Sequence, residues 1–311
     1  MDIHNTRTLI VGAGAVGGII AARLHEKGAD VTLLTRPQRF EQIIVHGLRL
    51  ASPYGRFRKP VPAIISSQIE RPWDLIVLAC RAHRMDEAIT MAAKAIGPET
   101  VVVSLLDGGP HLAHLQRRLP NNPVLEGYFE GRVQLDIEGF VSHRAPEARI
   151  TIGERQPDDG LPAQVAGLLS GRGLVGSAAP DLPRLAWARS IFLAAGVGTS
   201  VLTSRPLRDA LRFYPGQSNF EHMMAEGRKI AAAAGVQVNK AQTWRYRHAL
   251  YLEAEPVMAP PRVTAPGGGG QEAAYLLAQM IERADGVQAP TLRAAFKALA
   301  RDAGSEVADV A

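Results

Sequence analysis

Three glycines, Gly12, Gly14 and Gly17, stand in the spacing G-x-G-x-x-G, which lets a backbone close on a phosphate group. The first glycine permits a tight turn, the second admits a pyrophosphate, and the third lets a following helix pack closely. That helix, opening at Ala15 and Val16, offers free N–H groups and the positive end of its dipole to an anion. Such a turn between a strand and a helix is the signature of dinucleotide binding; without a ligand it is only a glycine-rich turn. The next strand-like run ends in Leu33-Leu34-Thr35-Arg36, where an NAD-binding unit places an acidic residue for the ribose 2′-hydroxyl. Arg36 suits a 2′-phosphate through charge-assisted hydrogen bonds, so NADP is the expected cofactor; the plainer reading is a solvated turn arginine. Arg81 and Arg84, at the opening of a later helix, add positive charge near the same place. His83 between them reads as a loop histidine, and Cys80 as a small buried residue ending a strand.

These residues need a scaffold. Thr8–Val11 and Val31–Leu34 read as strands around a helix over 16–27, with Gly28 at its end. Asp74–Ala79, Met85–Ile96 and Thr100–Leu106 repeat the strand, helix, strand order, which implies a mostly parallel sheet. From Val124 to Glu154 short strand-like runs follow without intervening helices, so the sheet is expected to end in antiparallel strands. Pro180 and Pro183 bracket a break, after which Arg184–Leu202, Phe220–Gly235 and Glu272–Gly286 read as helices. The expected organisation is α/β: an N-terminal Rossmann-type domain over 1–180, then an all-helical domain over 181–311. The segment Pro256–Gly270, with its prolines and four consecutive glycines, reads as a loop and a candidate lid.

Composition narrows the function classes. The chain has 311 residues, a formal net charge of +5 and 46% hydrophobic residues, as expected of packed globular domains. The charge is small and scattered and aromatics make up 5%, so a nucleic-acid partner is not expected. The single cysteine excludes an intrachain disulfide and any multi-cysteine metal site, and a metal is not expected. The longest uninterrupted apolar stretch, Ile191–Gly198, is far shorter than a membrane span. With no export signal read at the N-terminus, the expectation is a cytoplasmic protein without a membrane partner. No nucleophile elbow or H-E-x-x-H zinc pattern occurs.

The glycine-rich start TLIVGAGAVGGIIAARLHEKGADVTLLTR, the turn at Arg81 to Arg84, the helix around Trp187 and the segment QEAAYLLAQMIERADGVQAP together resemble the ketopantoate reductase family over nearly the whole chain. The resemblance implies two domains and NADPH-dependent reduction of a 2-oxo acid to a hydroxy acid. It places the family's phosphate-binding positions on Gly12, Gly14, Gly17 and Arg36, and its Lys and Gln after the next strand on Arg81 and Arg84. The asparagine near nicotinamide and substrate becomes Asp107, and the general-acid lysine becomes Arg189. Two substrate-reading asparagines become Leu193 and Val197, the late glutamate is Glu272, and the family's serine has no counterpart.

Positions 189, 193 and 197 are spaced i, i+4, i+8 and share one helix face, so a polar substrate-reading face has become a guanidinium followed by two apolar groups. Arginine is a poor proton donor near neutral pH, while its fork suits a carboxylate or a developing alkoxide. Arg189 is therefore expected to anchor substrate and stabilise an oxyanion, with Glu272 and Asp107 beside the reacting groups, in a cleft between the two domains. The plainer readings are an interface arginine and a helix-capping glutamate. His111, His114, His222 and His248 read as ordinary surface histidines, which leaves the general acid unassigned. The expected function is an NADPH-dependent reductase of a small anionic carbonyl compound other than ketopantoate, as a homodimer. The alternatives are a dehydrogenase or imine reductase of a specialised pathway and a catalytically silent NADP-binding sensor.

Overall fold

Thr8–Val11 (β1) is buried along its whole length, as a strand with parallel neighbours on both sides must be. In this computed structural model, which describes residues 5–106, 111–153, 160–243, 245–246 and 269–302, β1 lies inside an eight-stranded sheet. Chain order continues through Ala15–Glu26 (α1), Val31–Leu34 (β2), Pro37–His46 (α2), Leu48–Ser52 (β3), Gly55–Lys59 (β4), Ala63–Ile64 (β5), Leu75–Leu78 (β6) and Met85–Met91 (α3). Then come Val101–Ser104 (β7), Leu112–Arg118 (α4), Val124–Glu130 (β8), Val133–Leu135 (β9), Phe140–His143 (β10), Ala148–Gly153 (β11), Leu161–Leu169 (α5) and Leu174–Ala179 (β12). The large sheet has the order β12-β11-β8-β7-β6-β1-β2-β5 and is parallel except where β11 runs against β8. This is the mostly parallel, Rossmann-type sheet that the strand and helix alternation implies.

Three features differ from the sequence expectation. Among the described residues, the run from Val124 to Glu154 gives the large sheet only one antiparallel step, β8 to β11, because β9 and β10 leave that sheet and pair antiparallel with each other. They join β3 and β4 in a second, four-stranded sheet of order β4-β3-β10-β9. The sheet then closes on a parallel strand, β12, reached through α5. The helix expected over 85–96 stops at Met91 and ends in a 3-10 turn, Ala93–Ala95, whose last carbonyl accepts the Trp73 N–H at 2.9 Å.

Helix α1 is buried continuously from Gly17 to Leu24, on all its faces. A helix with no wet face must be covered on both sides, and α1 contacts β1 and β2 as well as β3, β9 and β10. A Cβ on Gly18 would stand 2.8 Å from Val141 Cγ2, so this glycine lets β10 press against the helix. The core of this unit runs from Ile10, Leu33, Val77, Val103 and Leu125 through Ile19, Ile20 and Leu24 to Leu48, Leu50 and Val141.

The described residues divide at Leu182 into two compact units. Among the described residues the second unit contains no strand; its helices include Leu182–Thr203 (α6), Leu207–Ala210 (α7), Tyr214–Ala233 (α8), Gly269–Glu282 (α9) and Pro290–Asp302 (α10). Trp187, Ile191, Phe192, Phe220, Met223 and Leu277 form its core, with the Phe192 and Phe220 rings edge to face at 5.8 Å. By length and composition α6 is sufficient to cross a membrane, which the short stretch Ile191–Gly198 does not suggest; 67% of its most apolar window is buried in the protein. Both Glu226 oxygens accept N–H groups from the first turn of α10, Thr291 and Leu292, each at 2.9 Å.

Candidate nucleotide site and its relatives

The glycine turn is built from close contacts that side chains would break. Gly12 donates its N–H to the Leu34 carbonyl at 2.9 Å and has φ of +107°, a conformation that favours glycine. A Cβ there would lie 2.9 Å from the Ala79 carbonyl oxygen and 3.2 Å from the Cys80 nitrogen. A Cβ on Gly17 would lie 1.9 Å from the Gly12 carbonyl oxygen, so this residue sets how closely α1 follows the turn. Gly14, the residue before α1, has no atom within 4 Å of its Cβ position. Two glycines are thus required by the protein's own packing, while the third faces open space. That space lies at the start of a helix whose first turn carries no acidic residue, which is the environment a pyrophosphate needs.

The basic residues follow strands beside β1. Arg36 follows β2, is exposed, and is the N-cap residue of α2 with Pro37 in the first turn. Arg81 follows β6, is exposed, and precedes a 3-10 turn, Ala82–Arg84, that leads into α3. Arg84 is half-buried and pairs loosely with Glu87 at 3.7 Å. The strand order β6-β1-β2 therefore gathers Arg81, the glycine turn and Arg36 along the carboxyl edge of one sheet, where open α/β sheets bind ligands. Ala15 and Val16 are half-buried in the first turn of α1. Cys80 is also half-buried rather than enclosed, because it already lies beyond the end of β6.

Two groups that sequence reasoning passed over belong to this region. Arg39, one turn after Arg36, donates Nε to the Ala13 carbonyl at 2.9 Å. Burial and the neighbouring Arg49 push its guanidinium below the usual arginine range, with Asp136 opposing them. His111, expected at the surface, is 2% exposed, and its backbone N–H donates to Glu126 Oε1 at 3.1 Å on β8. Glu126 is itself buried and pairs in register with Ser104, the last residue of β7. Glu126 thereby meets the chain on both sides of residues 107–110, its backbone in register with Ser104 and its carboxylate on the His111 N–H. The only sequence signals were an acidic residue inside an apolar strand and an arginine three positions after another.

The remaining predicted residues are placed unequally. Arg189 is half-buried on α6, with Leu193 half-buried and Val197 buried one and two turns later. The Arg283 guanidinium lies 5.9 Å from the Trp187 ring on the same helix. Asp107, His248, the Glu272 side chain and residues 256–268 of the expected lid lie outside the described residues. His114 is half-buried at the surface and reaches Asp86 at 2.9 Å.

Comparison with known proteins agrees with this arrangement. Residues 8–157 match the family model of ketopantoate reductase PanE/ApbA. The uncharacterized oxidoreductase YkpB of Bacillus subtilis is 29% identical over 75% of this chain and 77% of its own. A 2-dehydropantoate 2-reductase of Halobacterium salinarum is 26% identical over 89% of this chain and 92% of its own. Among solved structures, D-mandelate dehydrogenase in a ternary structure with NADH and anilino(oxo)acetate superposes with a TM-score of 0.83 at 17% identity, covering 98% of this chain and 99% of that one. The glycine turn, the sheet that carries it and these matches together identify residues 8–157 as a domain of the ketopantoate reductase PanE/ApbA type.

Proposed function

We propose that this protein is an NADPH-dependent reductase of a small 2-oxo acid other than ketopantoate. The observation that carries the reading is the carboxyl edge of β6, β1 and β2, where an open glycine turn stands between Arg81 and Arg36. Gly12, Gly14, Ala15, Val16 and Gly17 would hold the pyrophosphate on backbone N–H groups, and Arg36, with Arg81 and Arg84 in support, would neutralise a 2′-phosphate. NADPH supplies the hydride; the protein orients the reactants and supplies charge. Arg189 holds the substrate carboxylate with its planar fork and stabilises negative charge on the reduced oxygen. Glu272 orients the substrate, and Asp107 would stand at the family position beside nicotinamide.

Substrate choice follows from α6. Leu193 and Val197 remove the two amides that the family resemblance places on this face, so a substrate hydroxyl brought there would lose its hydrogen-bond partners at a cost of about 1–3 kcal/mol each. An apolar or aromatic 2-oxo acid avoids that cost. The solved D-mandelate dehydrogenase complex, which contains an oxo group next to a carboxylate, is in keeping with this class.

The same substitutions favour one other reading, an NADP-binding protein without turnover. The test is NADPH consumption with a panel of 2-oxo acids, ketopantoate included, beside a fluorescence titration of NADPH. Turnover with apolar 2-oxo acids and little with ketopantoate is the expected result. Binding without turnover on any member supports the silent protein, and efficient ketopantoate reduction overturns the substrate assignment.

A further inference from the structure

Arg39 joins two parts of the first unit that are distant in sequence. Its Nε donates to the carbonyl of Ala13, inside the glycine turn, at 2.9 Å. Its Nη1 donates to the carbonyl of Gly139, in the turn between β9 and β10, at 2.9 Å, and to Gln42 Oε1 at 3.1 Å. Gln42 in turn donates to the Ile137 carbonyl of the same hairpin at 3.2 Å. The second NH2 group of Arg39 is enclosed and makes no hydrogen bond among the described residues, an arrangement that costs stability. The hairpin also stays close because Gly139 has no side chain: a Cβ there would stand 2.1 Å from Arg39 Nη1 and 2.7 Å from Gln42 Oε1.

The Ala13 carbonyl shares a planar peptide unit with the Gly14 N–H, and in a trans peptide the two point in opposite directions. Fixing the carbonyl on Arg39 therefore fixes where the Gly14 N–H points, at the one glycine of the turn that faces open space. We propose that Arg39 is a positioning residue for the nucleotide pyrophosphate, and that through it the β9–β10 hairpin of the second sheet sets affinity for NADPH and NADH alike. The inference rests on the nucleotide reading but gives Arg39 a role separate from that of Arg36. Arg36 would meet the 2′-phosphate and discriminate between cofactors, whereas Arg39 would orient a donor to the part that both cofactors share. The fork is essential to this positioning, since a lysine keeps the charge and cannot hold two carbonyls in one plane.

The experiment titrates the wild type and R39M, R39K, G139A and R36A with NADPH and with NADH, and records a melting temperature for each. Arg39 variants are expected to bind both cofactors at least about tenfold more weakly, by nearly the same factor, as loss of a charge-assisted hydrogen bond predicts. G139A, which displaces the guanidinium without touching the glycine turn, should reproduce the effect, so the test survives if R39M does not fold. R36A should weaken NADPH alone. Wild-type affinity in folded R39K, or a loss in R39M confined to NADPH, overturns the positioning role while leaving the nucleotide site standing. A wild type that binds neither cofactor overturns the nucleotide reading itself and this inference with it.

Discussion

The Gly12 carbonyl oxygen lies 1.9 Å from where a Cβ on Gly17 would stand, whereas no atom lies within 4 Å of the same point on Gly14. The two glycines therefore fail differently when replaced. Gly17→Ala forces backbone against backbone and should cost about 1–3 kcal/mol. That is a fall in melting temperature of roughly 2–4 °C per kcal/mol in a domain of this size. Gly14 has φ of −78°, which alanine adopts freely, so Gly14→Ala should melt at or slightly above the wild-type temperature. It should nonetheless bind NADPH at least about tenfold more weakly, because a methyl group occupies the approach to the turn. Melting curves and a fluorescence titration of both variants separate the two roles; normal binding by Gly14→Ala would remove the pyrophosphate from this turn.

The large sheet is legible in the sequence because its strands announce themselves. TLIV, VTLL, LIVL and VVVS are short, almost wholly apolar or β-branched runs, and each is buried throughout. The second sheet is not legible for the opposite reason. In GRFRK only Phe57 is buried, VQL is mostly exposed, and neither run alternates over enough residues to mark a strand. What pairs them is α1, whose all-round burial requires a second cover. The glycine turn was legible because spacing alone carries it. Arg39 was not, since its function lies in reaching Ala13 and Gly139, and contacts across 26 and 100 residues leave no local pattern. His111 looked superficial because a lone histidine after Gly108, Gly109 and Pro110 in the sequence gives no sign of the carboxylate on β8 that holds its backbone.

Arg36 is exposed at the end of β2, where a charge can act on a ligand without first breaking an internal contact. Arg36→Ala should weaken NADPH by about ten- to a hundredfold, the value of a charge-assisted phosphate contact, and leave NADH within about twofold. The ratio of the two dissociation constants is the measurement. Equal losses for both cofactors would remove Arg36 from the 2′-phosphate.

His143 introduces a pH dependence. It is 2% exposed on β10, neither ring nitrogen has a hydrogen-bond partner among the described residues, and burial together with the nearby Arg23 guanidinium lowers its pKa below the usual 6.5. The folded state therefore holds the imidazole neutral, while the unfolded chain takes up a proton at about the ordinary histidine pKa. With more protons bound in the unfolded state, stability is complete above about pH 6.5 and falls as pH drops below it. Melting temperatures recorded from about pH 7.5 down to about pH 5.5 should decline over the lower part of that range. The decline should be shallower in His143→Leu; an identical slope would assign it to other groups.

Glu226 holds the start of α10 with both oxygens, taking up two of the N–H groups that a helix leaves unpaired at its N-terminus. Glu226→Ala removes both acceptors in a buried setting and should cost about 2–4 kcal/mol, from two lost caps at about 1–2 kcal/mol each. Glu226→Gln keeps one acceptor oxygen and should lose roughly half as much. Denaturant unfolding of the two variants measures the difference. Cofactor affinity should stay at the wild-type value, since the glycine turn and Arg36 belong to the other unit.

Arg189 tests the substrate side of the proposal. A guanidinium that anchors a carboxylate contributes to ground state and transition state alike, and its loss appears in KM; one that also stabilises the reduced oxygen contributes further to kcat. Arg189→Ala should therefore raise KM for an apolar 2-oxo acid by about ten- to a hundredfold and lower kcat as well, with KM for NADPH nearly unchanged. Arg189→Lys restores the charge without the fork, so its kcat should recover further than its KM. Steady-state rates of NADPH consumption distinguish these outcomes. If Arg189→Ala leaves both parameters for the 2-oxo acid at wild-type values, the arginine serves the packing of α6, and the anchor for the carboxylate has to be sought on another element.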